Sequence, residues 1–402
     1  LQQQIQATQQ QLLEIKRNFA SAAQACARVH RTCSALEFNE ARAMCNPFEH
    51  LEFPGRLFLN RAGSKLANIN ALMDFSLIQP SPNGEFSFVD LCGAPGGFSE
   101  YICKTCTSLS SSSSSSSSSV PSLKCQGWGM SLVGTDPHHH GHGVPWKLQN
   151  FASDTVQYHI CNGRNGTGDV CHWPNVEFLA MQIIANQSHH QNHHHYKVHL
   201  VVADGGLDAQ RNADCQEQVT CRLVVCQASA ALFLLRKGGT LVLKMFGFQT
   251  TTTKRVMQYM LQVFDKITVL KPITSRPASA ERHVVFQGYK GTPLDFNGPQ
   301  WQSNMLSSLS SSSSWHDNHY HDATTMSTTT MEEEEDDNFK HVLDECDFDL
   351  LQLNQKACFE ILSYMERKAL GKHGTLGEMA EQQQQPPSIM INVLAYKQEW
   401  RL

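Results

Sequence analysis

The length, composition and charge of the chain limit the classes of protein to which it can belong. Its 402 residues are enough for one domain of about 250 residues with extensions and low-complexity inserts. No run of about 18 apolar residues occurs, so no membrane span is predicted, and no signal peptide is visible. The 14 scattered cysteines are expected to be thiols in a reducing compartment. Because the first residue is Leu1 and not methionine, we expect the natural chain to begin further upstream.

One acidic block accounts for the formal net charge of −5. Residues 332–337, EEEEDD, carry six negative charges, so the rest of the chain sums to about +1. A negative total charge therefore does not exclude a nucleic-acid partner, because a local basic surface is sufficient for binding.

The first part of the chain has helical spacing of its apolar residues. We expect a helical N-terminal extension over residues 1–45 and a second helix over 62–75. Asn60 precedes the second helix as a candidate N-cap or ligand contact. Lys65 lies on that helix and, taken alone, reads as a solvated surface lysine.

The most informative stretch is FSFVDLCGAPGGFSEY at residues 86–101. Its apolar start predicts a buried strand, its glycines a tight turn and its end a helix, which is the opening unit of a Rossmann-like domain. Glycines let a ligand lie against bare backbone. The turn lacks the G-x-G-x-x-G spacing of a phosphate loop, and Pro95 has no N–H to donate. We therefore predict a nucleoside ligand without pyrophosphate, such as S-adenosylmethionine; the alternative is a purely structural turn.

Three low-complexity segments are expected to be inserts, at residues 108–122, 137–143 and 186–196. The first is an almost pure serine run, which cannot bury a core and is predicted to be a disordered loop. The other two are rich in histidine but lack a regular ligand spacing. Since Cys103 and Cys106 form a single C-x-x-C without a second pair, we predict no metal site.

The remaining apolar runs predict strands that alternate with helices. Strands are expected at 125–134, 199–204, 240–246, 267–270 and, as the last strand, 283–288, with helices at 213–236 and 254–264. Gly238 and Gly239 are expected to cap the longer helix, and Asp169 is placed at a strand end. Apolar strands without polar alternation predict an α/β fold with a mostly parallel sheet that is covered on both faces.

The C-terminal third changes composition. Residues 306–338 are rich in Ser, His and acidic side chains and are predicted to be a disordered linker. A helical C-terminal extension is expected over 339–402, interrupted at 382–387.

Three charged residues are predicted to meet at one edge of the sheet. Asp204 and Lys244 end parallel strands, where open sheets bind their ligands, and each needs a partner if it is buried. Glu281 begins a strand that we expect to be antiparallel, which places it at the same edge. The three side chains should converge beside the glycine turn; the alternative is a structural cluster of ion pairs.

The order Lys65, Asp204, Lys244, Glu281 resembles the K-D-K-E tetrad of the RrmJ/FtsJ class of RNA ribose 2′-O-methyltransferases. More specifically, the chain is similar to the eukaryotic cap-specific mRNA (nucleoside-2′-O-)-methyltransferases in FLNRAGSKLAN, LCGAPGGFSEY, GWGMSLVG, ADGG, LVLKMF and KPITSRPASAERHVV. The run KPITSRPASAER is the most specific, because Rossmann architecture does not require it. The resemblance covers residues 36–290 outside the inserts.

The resemblance implies a function. A Rossmann-like, S-adenosylmethionine-dependent methyltransferase domain over 46–295 would methylate the ribose 2′-hydroxyl of the first transcribed nucleotide of m7G-capped RNA. It also implies a nuclear location and a partner in the transcription machinery.

The resemblance also implies the site residues. The catalytic residues would be Lys65, Asp204, Lys244 and Glu281. Contacts to S-adenosylmethionine are implied at Asn60, Cys92, Gly93, Ala94, Pro95, Gly96, Gly97, Phe98, Asp169 and Val170. Contacts to capped RNA are implied at Arg42, Asp214, Cys215, Gln216 and Ser279.

Methyl transfer from a sulfonium requires in-line alignment and a more nucleophilic hydroxyl. Lys244 is the candidate general base or steering group, Asp204 would orient it, and Glu281 would fix Lys65 or the ribose. The alternatives are a related enzyme that acts on ribosomal or transfer RNA, an NAD-dependent oxidoreductase, which the glycine spacing disfavours, and a catalytically inactive RNA-binding relative.

Overall fold

A computed structural model of the chain describes residues 35–46, 58–113, 123–134, 143–147, 155–187, 197–206, 216–293, 296–307, 337–369 and 397–401. Predictions for the first 34 residues, for most of the histidine-rich tracts and for the interruption at 382–387 lie outside the described residues. The same holds for Asp214 and Cys215.

The described strands form one sheet. In chain order they are β1 (Glu85–Leu91), β2 (Lys124–Met130), β3 (Val156–Ile160), β4 (Val198–Ala203), β5 (Leu235–Met245), β6 (Lys266–Leu270), β7 (Arg282–Gln287) and β8 (Lys397–Arg401). Their order across the sheet is β3-β2-β1-β4-β5-β7-β6-β8. The first five strands are parallel to one another, β7 is antiparallel to β5 and β6, and β8 is antiparallel to β6.

This topology confirms the predicted α/β class and the predicted antiparallel direction of the strand that follows Glu281. The structure adds β3 and β8, which the patterns do not predict. The expectation that residues 339–402 are helical is therefore wrong at 397–401, where the backbone pairs with β6 and completes its open edge. For the same reason β7 is not the last strand.

The described helices are α1 (Ala35–Cys45), α2 (Arg61–Leu72), α3 (Gly97–Ser113), α4 (Trp173–Gln187), α5 (Gln216–Leu234), α6 (Thr251–Val263), α7 (Gly298–Leu306) and α8 (Asp337–Ala369). Successive residues of each central strand point to opposite faces of the sheet. Val202 and Val242 pack with side chains of α2 and α3, whereas Val201 and Leu241 pack with those of α4 to α8. Within the described residues, no helix is both long and apolar enough to cross a membrane.

The serine run is partly helical, which corrects the prediction of a loop beginning at residue 108. Helix α3 continues through Ser113. The hydroxyls of Ser108 and Ser111 donate hydrogen bonds of 3.0 Å to the carbonyls of Lys104 and Thr107, four residues earlier. Serine can thus remain in a helix when its hydroxyl bonds back to the preceding turn.

Two further local predictions are wrong. Gly238 and Gly239 do not cap α5, which ends at Leu234; they lie within β5 next to a register shift against β4. Gly238 has φ +76°, which favours glycine, and this change of direction is typical of a bulge. Asp169 does not end a strand, because β3 ends at Ile160 and Asp169 follows in the loop before α4.

Candidate active site

Four charged side chains lie together at the carboxyl edge of the parallel strands. Lys65 Nζ is 2.9 Å from Glu281 Oε1 and 3.8 Å from Asp204 Oδ2. Lys244 Nζ is 3.4 Å from Asp204 Oδ1. The structure therefore brings the predicted tetrad together as alternating positive and negative groups.

The topology explains this convergence. Asp204 directly follows β4, Lys244 is the penultimate residue of β5, and Glu281 directly precedes the antiparallel β7. Lys65 comes from the first turns of α2. The side chains of Lys65 and Lys244 are each 10% exposed. Lys65 is therefore not a solvated surface lysine, as its sequence position alone suggests, but a nearly buried one with two carboxylate partners.

A second contact fixes Lys244. Its Nζ donates a hydrogen bond of 2.6 Å to the backbone carbonyl of Asp204. A Cβ at Gly206 would lie 2.9 Å from the same Nζ, so the glycine leaves room for the ammonium. Gly205 N donates to Gln227 Oε1 at 3.0 Å, which fastens the turn after β4 to α5. The short motif ADGG thus positions Asp204 and Lys244 relative to each other.

The tetrad side chains stabilise one another's charged forms. Burial opposes ionisation of Asp204, but Lys244 and Lys65 outweigh it and hold the pKa of this carboxyl below its usual range. Burial likewise opposes ionisation of Glu281, and the two lysines again lower its pKa well below the usual range. Burial alone would lower the pKa of Lys65, yet Asp204 and Glu281 raise it above its ordinary value. The cluster is a set of mutually compensated charges.

The tetrad has a fifth member that the sequence analysis does not identify. His283 Nε2 is 3.0 Å from Asp204 Oδ1, and the imidazole is fully buried. His283 lies opposite Lys244 in the β5–β7 register. Strand alternation could have revealed it, because residues 281 and 283 point to the same face of the sheet.

The loop from β6 to β7 is held by its own side chains. Lys271 Nζ donates to the carbonyls of Ser279 at 2.5 Å and of Glu281 at 2.6 Å. Ser275 Oγ donates to Glu281 Oε1 at 2.7 Å, and Ser279 Oγ accepts from Glu281 N at 3.2 Å. Burial lowers the pKa of Lys271 to about 7. The side chains of the segment 271–282 thus hold Glu281 in place and orient its carboxylate.

The glycine turn lies beside the tetrad and connects β1 to α3. Cys92 has φ +57° and Gly96 has φ +108°, so the chain reverses sharply there. A Cβ at Gly97 would overlap the side-chain oxygen of Asn60. Asn60 Oδ1 accepts from Ala62 N at 3.0 Å and is the N-cap of α2. Three of the predicted cofactor residues 92–98 are glycines, which leave the backbone of the turn bare, and the side chain of Phe98 is buried.

Below this turn is a buried acid that the sequence analysis also misses. Asp90 Oδ2 accepts from Ser99 Oγ at 2.6 Å and from Ser99 N at 3.2 Å. Burial raises the pKa of Asp90 to about 7. Its Oδ1 has no hydrogen-bond partner in the described part of the chain, and a Cβ at Gly93 would overlap it. Glycine at position 93 therefore allows the backbone of the turn to lie directly against the Asp90 carboxylate.

The loop before α4 carries Asp169 and Val170. Asn175 is buried and organises this loop: its Nδ2 donates to Asp169 O at 3.0 Å and to Thr167 Oγ1 at 3.2 Å. Asp169 Oδ1 accepts from Cys171 N at 2.8 Å. The side chain of Val170 packs into the core, so this residue offers a ligand its backbone only.

The described residues that are predicted to contact RNA lie on three separate elements of the chain. Arg42 is in the last turn of α1, where its Nη2 donates to Asn39 Oδ1 at 2.6 Å. Gln216 begins α5, and Ser279 supports the Glu281 loop. The neighbouring Ala41 and Ala278 pack together against α8, which brings α1 to the Glu281 loop. Among the residues described, no group of three or more His, Cys, Asp or Glu side chains is arranged to hold a metal ion.

The comparison with protein families agrees with this geometry. The sequence pattern of the FtsJ-like methyltransferases matches residues 58–289, more than half of the chain. The chain belongs to the FtsJ-like methyltransferase family. The matched region of this FtsJ-like protein contains all four tetrad residues and the glycine turn, and it ends before α7 and α8.

Curated relatives of the FtsJ-like protein carry a more specific name. "Cap-specific mRNA (nucleoside-2′-O-)-methyltransferase 1" of Bos taurus is 29% identical over 280 residues, which cover 66% of this chain and 30% of that protein. The protein of the same name from Homo sapiens shows the same identity and coverage. The one from Drosophila melanogaster is 29% identical over 272 residues. The chain therefore spans about 30% of the length of the curated relatives it matches.

Solved structures show a more distant likeness. A ribosomal RNA methyltransferase from Plasmodium falciparum has a TM-score of 0.37 at 15% identity and covers 58% of this chain and 99% of its own. Human methyltransferase-like protein 13 in complex with SAH has a TM-score of 0.28 at 12% identity and covers 65% and 97%.

Proposed function

We propose that this FtsJ-like protein transfers a methyl group from S-adenosylmethionine to the ribose 2′-hydroxyl of the first transcribed nucleotide of m7G-capped RNA. The observation that carries the proposal is the buried set of alternating charges Lys65, Asp204, Lys244 and Glu281 beside a glycine turn. The printed name of the curated relatives supports the cap as the substrate feature.

The glycine turn fits S-adenosylmethionine. It offers bare backbone at a carboxyl strand edge, where open α/β sheets bind their ligands. Pro95 lacks the N–H that a phosphate would require, which favours a ligand without pyrophosphate. Residues 92–98 would hold the cofactor together with the amide nitrogen of Asn60, since the Asn60 oxygen is committed to its N-cap. The Asp169–Val170 segment would hold the adenine.

When bound, S-adenosylmethionine supplies an electrophilic methyl group on a sulfonium. Lys244 would steer the ribose 2′-hydroxyl with Nζ or, once its amine is neutral, accept the hydroxyl proton there, at a position fixed by both the carboxylate and the carbonyl of Asp204. Asp204 orients Lys244 and is itself oriented by His283. Lys65, held by Glu281 at 2.9 Å, supplies a second positive charge near the hydroxyl oxygen. Positioning of this kind can lower the activation free energy by several kcal/mol.

The proposal extends to the roles of single residues. Arg42, Gln216 and Ser279, with Asp214 and Cys215 outside the described residues, are proposed to contact the capped RNA. A nuclear location and an association with the transcription machinery are part of the same proposal, because capping of mRNA accompanies transcription.

The test is transfer of label from S-[methyl-³H]adenosylmethionine to two short RNAs of identical sequence, one beginning with m7GpppN and the other with a bare triphosphate. The proposal expects label on the capped RNA alone, in the ribose of the first nucleotide. The Lys244→Ala variant should bind the cofactor and transfer no label. Label on both RNAs would indicate a general ribose methyltransferase, and label on neither, with the cofactor bound, would refute the proposed activity for this chain.

A further inference from the structure

A buried ion pair connects the C-terminal helix α8 to the strands that carry the tetrad. Arg282 and Asp347 form this pair, and their side chains are 2% and 0% exposed. Arg282 directly follows Glu281, and in the β5–β7 register it lies opposite Met245, the residue after Lys244. Arg282 is thus next to Glu281 in the chain and opposite the neighbour of Lys244 in register, while its guanidinium points to the other face of the sheet, toward α8.

The same carboxylate holds the segment that leaves β5. Asp347 Oδ2 accepts from the backbone N–H of Phe248 at 2.7 Å and from Gln249 Nε2 at 2.8 Å. Arg282 stacks over the Phe248 ring at 5.1 Å and donates from Nη2 to the carbonyl of Phe246 at 3.5 Å. Phe246 in turn lies under the Lys244 ammonium, with Nζ 5.7 Å from the ring centroid. Asp347 therefore holds the backbone that follows Lys244, directly at Phe248 and through Arg282 at Phe246.

Helix α8 also supports the loop that presents Glu281. Ala278, three residues before Glu281, packs against Ala357, Cys358 and Ile361 of this helix. The region that matches the FtsJ-like family ends at residue 289, so α8 lies after it in the sequence. Helix α8, which lies outside the region that matches the family, thus packs against the loop that presents Glu281.

We propose that Asp347 is a positioning residue for the tetrad, acting through Arg282 and the backbone of Phe248 to set the spacing of Lys244 and Glu281. The inference rests on the proposed function for its catalytic consequence. The spacing itself is a property of the folded chain. A buried ion pair by itself adds little to stability relative to an apolar replacement, whereas a displacement of about 1 Å in a catalytic group can reduce turnover about 100-fold.

The experiment compares three variants of the full chain. Asp347→Asn keeps an oxygen that can accept from Phe248 N but leaves the buried guanidinium without its counter-charge. The double variant Arg282→Met/Asp347→Asn removes both charges, keeps an acceptor for Phe248 N and should recover the melting temperature. Asp344→Asn is the matched control on the same helix, one turn earlier, where the side chain meets Lys254 at 3.0 Å and Gln249 at 3.2 Å and does not touch Arg282.

Two readouts are taken below the melting temperature of every variant. The first is kcat and KM on capped RNA. Asp347→Asn and the double variant should lose about 10- to 100-fold in kcat with KM for S-adenosylmethionine within about threefold, because the pair acts on Lys244 and not on the glycine turn. The second is the rate at which acetic anhydride labels Lys65 and Lys244, measured by mass spectrometry relative to Lys104. Both lysines should react at least about threefold faster in Asp347→Asn as their ion pairs loosen.

The outcomes separate the two proposals. If the unaltered chain transfers no methyl group, the proposed function fails, and lysine labelling alone still decides the role of Asp347. If Asp347→Asn lowers the melting temperature while kcat and lysine labelling stay within twofold of the unaltered chain, the pair is only structural and the inference is wrong. Full recovery of kcat in the double variant would overturn it as well.

Discussion

Replacing Lys271 with methionine tests how the run 271–282 holds the site. The Lys271 ammonium is buried and bonds the carbonyls of Ser279 and Glu281. Methionine fills a similar volume, does not titrate and cannot donate either bond. The variant should therefore change both the dependence of stability on pH and the rate of methyl transfer.

The effect on stability follows from proton linkage. Burial lowers the pKa of Lys271 to about 7 in the folded chain, whereas the unfolded chain keeps the ordinary value of 10.5. Between these values the unfolded state binds more protons than the folded state, so stability rises with pH. From pH 7 to pH 9 this group alone should raise the free energy of unfolding by about 2 kcal/mol.

Urea titrations of the unaltered chain and of Lys271→Met at pH 7, 8 and 9 measure this contribution. The difference between their unfolding free energies should change by about 2 kcal/mol across the range. Lys124→Met, an exposed lysine at the start of β2, is the control and should not change the slope. Parallel pH profiles for the unaltered chain and Lys271→Met would refute the buried, titrating lysine. Unchanged kcat in Lys271→Met would refute its support of the Glu281 loop.

Three further predictions concern other parts of the site. Lys244→Arg should lose at least about 10²- to 10⁴-fold in kcat, because arginine cannot accept a proton; activity near that of the unaltered chain would exclude a general base. Asn175→Ala should raise the Kd for S-adenosylmethionine about tenfold and change kcat little, because the carbonyl of Asp169 loses its hydrogen bond. An unchanged Kd measured by calorimetry would contradict this. Burial raises the pKa of Asp90 to about 7, so its contribution to stability declines as pH rises from about 4 to 7. Asp90→Asn keeps an acceptor for Ser99 and should raise the melting temperature at pH 8, and a lower one would refute the reasoning.

The central strands could be predicted because burial leaves a direct mark on their sequence. Strands β1, β4 and β5 are covered on both faces, so they read as apolar runs without alternation. Once these runs are parallel strands, the charged residues at their ends must share one edge. The meeting of Asp204, Lys244 and Glu281 follows from that rule without any knowledge of side-chain conformation.

Elements at the rim of the sheet could not be predicted in the same way. Strand β3 reads VQYHI and lies at the edge of the sheet that the described strands form, so polar residues such as Gln157 are exposed and the apolar signal is weak. The Gly238-Gly239 pair resembles a helix cap locally, but its carbonyl and N–H groups bond Tyr289 across the sheet instead. Local patterns cannot report a partner as distant in the chain as Tyr289, and tertiary contacts of this kind override local propensity.

The same limit explains which site residues escaped the sequence analysis. Asp90 and His283 sit inside apolar runs, where a polar residue has no local pattern that predicts its partner. Asp347 is separated from Arg282 by 65 positions and lies in a segment that reads as a helical extension. Each owes its role to contacts between separate helices, strands or loops, which only the three-dimensional structure supplies.

The balance of charges in the tetrad affects how any single variant should be interpreted. Two lysines and two carboxylates sum to zero, which lets the cluster be buried without an uncompensated charge. Removing Lys244 leaves Asp204 with Lys65 at 3.8 Å as its remaining tetrad cation, and removing Lys65 leaves Glu281 without its partner at 2.9 Å. A loss of turnover in either variant therefore combines the missing group with a displaced neighbour. Only a second variant that restores the charge balance, such as Lys65→Met combined with Glu281→Gln, separates the proton acceptor from its electrostatic support.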